Sequence, residues 1–271
     1  MTERARVLAW RLAILAVLLG SWEWLTGVPA ISKLPGLYWL DPFFVSRPST
    51  IVQRFVYLAS GRVRLSIWAM ALSTVQSTLW GFLVGVSTGF VAGLVLGRNG
   101  RLARIFEPYI VAFNSLPRIA LVPLITMIFG FGLLAKIVLA WTIVFFIVFF
   151  NTFQGARSVD ADLIHSARFL GGSDRQIMRT VIVPSALAWT FAALTPSISF
   201  ALIGVVVGEF LGGESGGGLG YLIIQSLGTL NAADMMVALL VLGVIGIVMA
   251  LGIKQLEMRL LRWRPDYRKQ T

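Results

Sequence analysis

Six long apolar stretches constrain this chain more than any other feature: Val7 to Thr26, Ala71 to Leu96, Ile105 to Ile128, Leu133 to Phe150, Val181 to Val207 and Ala232 to Ile253. Each is close to the roughly 20 apolar residues with which an α-helix crosses the ~30 Å hydrocarbon core of a bilayer. No water reaches the backbone there, so the peptide groups must bond within the segment, and runs of this length can satisfy themselves as helices. The fold class expected is an all-α polytopic membrane protein with six transmembrane helices. Composition agrees. Charged residues make up 13% of the chain and hydrophobic ones 57%, whereas a soluble domain carries about 25% charged residues.

The formal charge of +11 would suggest a nucleic-acid partner in a soluble protein. Here the basic residues fall between apolar runs, the pattern of cytoplasmic loops, and no nucleic-acid partner is expected. With the N-terminus placed inside, sixteen of the 23 Lys and Arg are cytoplasmic, six are external and one, Arg118, falls within the third run. This bias predicts that both termini are cytoplasmic. The first run lacks a small-residue cleavage site before a soluble domain and reads as a retained helix. Trp22 and Trp24 suit anchors at its outer end. The organisation expected is an N-terminal transmembrane helix (1–27), an external segment (28–70), a five-helix core (71–253) with a cytoplasmic loop at 154–182, and a basic cytoplasmic tail (254–271).

Several local features follow. Pro29, Pro35, Pro42 and Pro48 favour an extended start to the external segment. Ser49 to Ser60 then reads as an amphipathic helix laying Ile51, Val52, Phe55, Val56 and Leu58 on the membrane interface. Gly81, Gly85, Gly89 and Gly93 recur every fourth residue, the stripe that lets two helices approach closely. Glu107 reads as a cap at the start of the third span, and Glu23 as a boundary carboxylate reaching water. Glu209, at the outer end of the fifth span, reads either as a gate or as a solvated carboxylate. Arg118 lies mid-span, beside Pro117 and after Asn114-Ser115. A charge at that depth should face a cavity or a partner, or else bond backbone carbonyls.

Chemistry of other kinds finds little support. There is no cysteine and only one histidine, His165, so disulfides, thiolate chemistry and a multi-histidine metal site within one chain are excluded. His165 falls in a loop, and no nucleophile–base pair is visible within the spans. The glycine-rich stretch Leu211 to Gly218 lacks the lysine of a phosphate loop and reads as a flexible external connection.

The loop between the fourth and fifth spans, Gly155 to Pro184, has the grammar of two short helices joined at a bend. Asp160 can cap the first, with Leu163, Ile164, Ala167 and Leu170 at helical spacing. Gly171-Gly172 stops it. Ser173 and Gln176 form a capping box for the second, and Pro184 stands near the start of the next span. Such a bend, rimmed by Arg168, Arg175 and Arg179, can insert into a groove on a partner, or it can be a plain connector.

Ala167-Arg168-Phe169-Leu170-Gly171, with Ile177, Val181 and Pro184 downstream, resembles the EAA loop of permease subunits of binding-protein-dependent ABC importers. Leu116 to Leu124 followed by Phe129-Gly-Phe-Gly132, and Glu209-Phe210 followed by Gly218-Leu-Gly-Tyr221, are similar to segments of the nitrate/sulfonate/taurine branch. The likeness spans roughly residues 65 to 263. It departs from the motif where His165 stands for the glutamate, Ser166 for an alanine-like neighbour, Gly172 for a frequent alanine and Ala188 for a second proline. The resemblance implies a type I importer permease fold and a bacterial inner-membrane location. It also implies two cytoplasmic ATPase subunits, a second permease copy forming a homodimer, and an external substrate-binding protein. ATP would be bound by the partner subunits, leaving this chain without cofactor, metal or catalytic residues. The residues implied for ATPase coupling are Leu163, Ala167, Arg168, Leu170, Gly171, Gly172, Ser173 and Arg175. Those implied for the translocation path are Asn114, Ser115, Pro117, Arg118 and Glu209. The cargo implied is a small anion such as nitrate, a sulfonate or taurine, although relatives import pyrimidine or vitamin precursors. The main rival reading is a secondary transporter driven by an ion gradient. It would need intramembrane acidic residues, whereas Glu23, Glu107 and Glu209 all fall towards span ends.

Overall fold

The computed structural model describes residues 3–32, 34, 36–61, 66–213 and 217–261. Lys33, Arg62, Arg64, Glu214 to Gly216 and the last ten residues of the basic tail lie outside them, and so do the expectations that fall there. The described residues are helical almost throughout. We number the helices α1 (Glu3–Gly27), α2 (Pro48–Ala59), α3 (Ile67–Arg98), α4 (Gly100–Ser115), α5 (Val122–Phe129), α6 (Leu133–Arg157), α7 (Ala161–Phe169), α8 (Val183–Leu211), α9 (Leu219–Gly228) and α10 (Ala232–Leu260). Five helices among the described residues are long and apolar enough to cross a membrane: α1, α3, α6, α10 and the helix that enters α8 through Asp174–Ile182.

The sixth span differs from the single helix expected between Ile105 and Ile128. It is a pair, α4 and the Arg118–Phe129 segment, bent by 82° at a short break. Leu116 precedes Pro117, and the proline ring disfavours a helical conformation in the residue before it. Leu116 accordingly turns extended at ψ 130°, and α4 ends. A 3₁₀ turn, Arg118–Leu121, then leads into α5, whose first turn accommodates Pro123. The start of the span also differs. Asn99 caps α4, its side chain accepting from the N–H groups of Arg101 and Leu102. Glu107 sits one to two turns inside the helix and is not a cap.

The core is built on α3 against α6. A Cβ added at Gly81 would overlap Ala140. Cβ atoms at Gly85, Gly89, Gly93 and Gly97 would come within 2.6–2.7 Å of atoms of Val144, Phe145, Phe149 and Ala156 respectively. Partner positions on α6 advance in step with those on α3, so the two helices run parallel, backbone against backbone, for about four turns. The missing side chains are the reason they can. With little hydrophobic drive between helices in lipid, this contact supplies van der Waals packing instead. α8 closes the other side of α6. The Thr152 and Thr190 hydroxyls meet at 2.7 Å, and Ser185 donates to the Gly155 carbonyl at 3.0 Å.

The helix read from Ser49 to Ser60 is α2, but its apolar face does not simply lie on the membrane. Ile51 and Leu58 are buried in a cluster with Ile67, Met70, Leu219, Leu222 and Val237, while Val52 and Val56 stay exposed. Two polar ties hold α2 there. Arg54 donates from Nε and Nη2 to both carboxylate oxygens of Asp234, each at 2.7 Å. Glu23 accepts from the Ser49 N–H at 2.9 Å and its hydroxyl at 2.7 Å. Glu23 therefore serves the N-terminus of α2, where an anion is favoured, instead of merely reaching water.

Candidate functional site

Four of the five residues expected on a translocation path gather at the break in the third span. Arg118 opens the 3₁₀ turn and reaches back across the break, donating from Nη2 to Asn114 Oδ1 at 2.6 Å. Its guanidinium carbon sits 5.1 Å from the ring centre of Phe146 on α6. Cation–π contact at this distance is favourable, more so away from water. The Nε atom is buried without a hydrogen-bond partner among the described residues, so one fixed donor remains unspent. Asn114, Ser115 and Pro117 are exposed around it. Ser115 donates to the Val111 carbonyl at 2.8 Å, which leaves its oxygen lone pairs facing outward. The acceptor of the Arg118 guanidinium is thus a side-chain amide, and not the backbone carbonyls that stand as the sequence's alternative to a cavity or a partner.

Glu209 is not part of this group. It is fully buried, neither a solvated carboxylate nor a residue facing an open path in this structure. One of its oxygens lies 3.3 Å from Lys136 Nζ on α6, and Lys136 also donates to Ser73 at 2.8 Å. Thr74 on α3 donates to the carboxylate at 2.9 Å, and the Gly220 N–H of α9 at 2.9 Å. Lys136 precedes Phe146 by ten residues on one helix, about 15 Å along the axis, so Arg118 and Glu209 occupy different levels of the bundle. A Cβ on Gly218 would overlap the carboxylate, which explains the glycine there. Lys136 is one of the six basic residues that the charge count puts outside, and that count gives no sign of this pair. The signal available was a lysine three residues inside an apolar run.

At the other end of the bundle, the loop between α6 and α8 has the expected shape. Asp160 accepts from the Asp162 N–H at 3.0 Å and caps α7. Gly171, at φ +81°, ends it in a left-handed conformation that glycine adopts without strain. A Cβ on Gly172 would lie 2.7 Å from the Ala167 carbonyl oxygen. Ser173 and Gln176 form the reciprocal capping box, and Arg168 pairs with Asp174 at 3.3 Å. A π-helical turn, Met178–Ile182, then joins this segment to α8, with Pro184 in its first turn.

The apolar residues of the loop divide between two directions. Ile164 and Ala167 pack inward against Ile177, Ile182, Ala156 and Ala186. Leu163 points out, and Phe169 and Leu170 at the bend are 91% and 89% exposed. Phe169 was not among the coupling residues singled out in the sequence, because helical spacing assigns it to the polar side. Arg168, Ser173 and Arg175 are exposed around the bend, and so is His165. Adjacent large apolar side chains, fully presented on a glycine-stopped turn and ringed by arginines, form a surface that fits insertion into a partner's groove.

Comparison with known proteins matches these features. Residues 85–261 fit the family model described as binding-protein-dependent transport system inner membrane component. The chain is 30% identical over 257 residues to SsuC of Bacillus subtilis, a permease assigned to aliphatic sulfonate transport, covering 93% of this chain and 86% of that one. It is 30% identical over 250 residues to the riboflavin transport system permease protein RibX of Chloroflexus aurantiacus, covering 89% and 91%. The taurine transport system permease protein TauC of Escherichia coli is 26% identical, covering 93% and 88%. Among solved structures, a chain of the inward-facing MetNI methionine ABC transporter superposes with a TM-score of 0.61 at 23% identity, covering 70% of this chain and 94% of that one. That match identifies the fold as the one used by ABC importer permeases. The chain is not itself an enzyme, and it belongs to the family of multi-pass inner-membrane permease subunits of binding-protein-dependent ABC importers.

Proposed function

We propose that this permease works as one of a pair of copies, with both termini cytoplasmic, and passes a small anionic solute by alternating access. Family membership brings an ATPase and a substrate-binding protein as partners. The loop Asp160 to Ile182 is the ATPase contact in this reading. Phe169 and Leu170 enter the ATPase groove, Gly171 and Gly172 allow the close approach, and Arg168 and Arg175 hold its rim. Closure of the ATPase dimer on ATP moves this turn, and α8, continuous with it through the π-turn, carries the movement into the bundle.

The observation that carries the anionic reading is Arg118. Its guanidinium sits at a helix break with exposed Asn114 and Ser115 beside it and an Nε donor still unpaired. No carboxylate among the described residues pairs with it. A planar fork of donors matches the oxygens of a sulfonate, nitrate or carboxylate. The sulfonate and taurine assignments of two relatives point to the same class, whereas the riboflavin assignment of a third does not. The test is uptake into proteoliposomes holding the complete transporter. Arg118→Gln should lower uptake of taurine or an alkanesulfonate by about tenfold or more, the worth of one charged hydrogen bond, with assembly and basal ATP hydrolysis retained. Wild-type uptake by the variant, or failure to assemble, would return Arg118 to a structural role. ATP-dependent uptake of riboflavin by the wild type with none of either sulfonate would replace the anionic reading.

A further inference from the structure

The same end of the bundle that carries the α6–α8 loop holds a second feature, separate from the Arg118 site and from the exposed bend. α3 ends at Arg98, α4 begins at Gly100 and α6 ends at Arg157, so three span ends meet at one boundary. Between them and the π-turn lies an open crevice of about 710 Å³, lined by Arg98, Asn99, Arg101, Arg104 and Met178 among others. Its only ion pair among the described residues is the 4.0 Å approach of Arg98 to Asp174, a highly exposed carboxylate already shared with Arg168. Arg101 and Arg104 have no carboxylate partner among the described residues.

A groove of about 370 Å³ adjoins this crevice and shares Gly100 and Arg104 with it. It runs along the seam between α4 and α6, with Leu96, Ile110, Val111, Phe149 and Phe150 on its walls and the charged side chains of Glu107 and Arg157 beside Arg104. Two cavities of opposite character therefore meet at one arginine at the end of the spans. One is open and arginine-rich, and the other is lined mainly by apolar side chains and runs along the helices.

We propose that this pair of cavities binds one anionic phospholipid, with the phosphate among Arg98, Arg101 and Arg104 and an acyl chain in the α4–α6 groove. Charge complementarity selects the headgroup. With the orientation proposed above, on which this inference rests, the boundary is the inner leaflet, where basic pockets between spans hold anionic lipids and each arginine strengthens binding about fivefold. The groove selects a lipid over a free phosphate or other soluble anion, which would leave its aromatic walls unused. The site also bears on coupling. Met178 belongs to the π-turn that joins the loop to α8, and a phosphate competes with Asp174 for Arg98. An occupied site would release Asp174 to Arg168 alone and brace the entry to α8.

The probe is phosphatidylglycerol. The detergent-purified transporter should retain about one such lipid per chain by native mass spectrometry after passage through mixed micelles. Arg98→Gln/Arg101→Gln/Arg104→Gln should lower its apparent affinity on the order of a hundredfold, whereas Arg6→Gln/Lys254→Gln, which removes two exposed charges on α1 and α10 that line neither cavity, should leave it within about threefold. Val111→Trp, which fills the groove and keeps every arginine, should also abolish retention. It remains informative if the triple variant fails to fold. Equal losses from both charge variants would reduce the effect to general attraction and overturn the proposal. So would displacement of the lipid by millimolar inorganic phosphate. Undiminished retention by Val111→Trp together with dissociation of the permease pair would assign the groove to the second copy instead.

Discussion

Removing Lys136 gives the sharpest test of how the α9 end of the bundle, opposite the α6–α8 loop, is held. Its ammonium lies 3.3 Å from Glu209, and the two side chains are 5% and 0% exposed. Lys136→Met would leave a carboxylate buried with neutral donors alone, from Thr74 and the Gly220 N–H. Breaking a buried pair by deleting one partner costs about 3–5 kcal/mol, whereas replacing both partners costs little or even stabilises. Glu209→Gln keeps an oxygen for the Gly220 N–H but removes the carboxylate that faces the ammonium, and should cost a similar amount. In Lys136→Met/Glu209→Gln neither charge remains and the acceptor survives, so stability should return to within about 1–2 kcal/mol of wild type. The assay is equilibrium unfolding of the purified chain in mixed micelles, analysed as a double-mutant cycle with an expected coupling of at least ~2 kcal/mol. Additive losses, or a loss below about 1 kcal/mol for Lys136→Met, would refute the view that this pair pins α3, α6, α8 and α9 together.

Three further outcomes follow from the same packing. Phe169→Ala should weaken ATPase association by about 10- to 100-fold, as loss of an interface anchor does, yet leave the thermal midpoint of the isolated chain unchanged because the ring is 91% exposed; pull-down with the cognate ATPase and a melting curve measure both. Gly89→Leu should destabilise the chain by about 3 kcal/mol or prevent its folding, since even a Cβ would stand 2.7 Å from the Phe145 carbonyl oxygen, and micelle unfolding or expression yield reads this. Arg54→Met should cost about 1–3 kcal/mol by leaving the largely buried Asp234 carboxylate with the neutral Asn231 amide in place of its guanidinium partner; Asp234→Asn in the same background should recover part of it.

Much of the architecture was legible in the sequence because its causes are local. The four-residue glycine stripe, the Asp160 cap, the Ser173–Gln176 box and the Gly171-Gly172 stop each depend on neighbours within a turn or two, and each stands where spacing placed it. Hydropathy, by contrast, counts apolar residues without saying whether a helix is continuous. It ran the third span straight through Leu116-Pro117, where the backbone turns by 82°. Nor does it say whether an apolar face meets lipid or protein, so Ile51 and Leu58 were sent to the membrane although α3, α9 and α10 cover them. Lys136 and Glu209 are 73 residues apart, and nothing in either neighbourhood names the other. Arg118 was conspicuous because its charge is unusual in an apolar run, but its bond to Asn114 depends on the break.

The proposed function requires the α6–α8 loop to face the cytoplasm and carry the ATPase contact, and this chain, lacking cysteine, allows both to be read at one position. A single Leu170→Cys can be challenged with a membrane-impermeant maleimide in right-side-out and inverted vesicles, with and without the ATPase subunits. A cytoplasmic turn seated in the ATPase gives rapid labelling in inverted vesicles alone, and at least tenfold protection once the ATPase is bound, as burial of a contact residue requires. Labelling in right-side-out vesicles, or labelling indifferent to the ATPase, would contradict the proposed function.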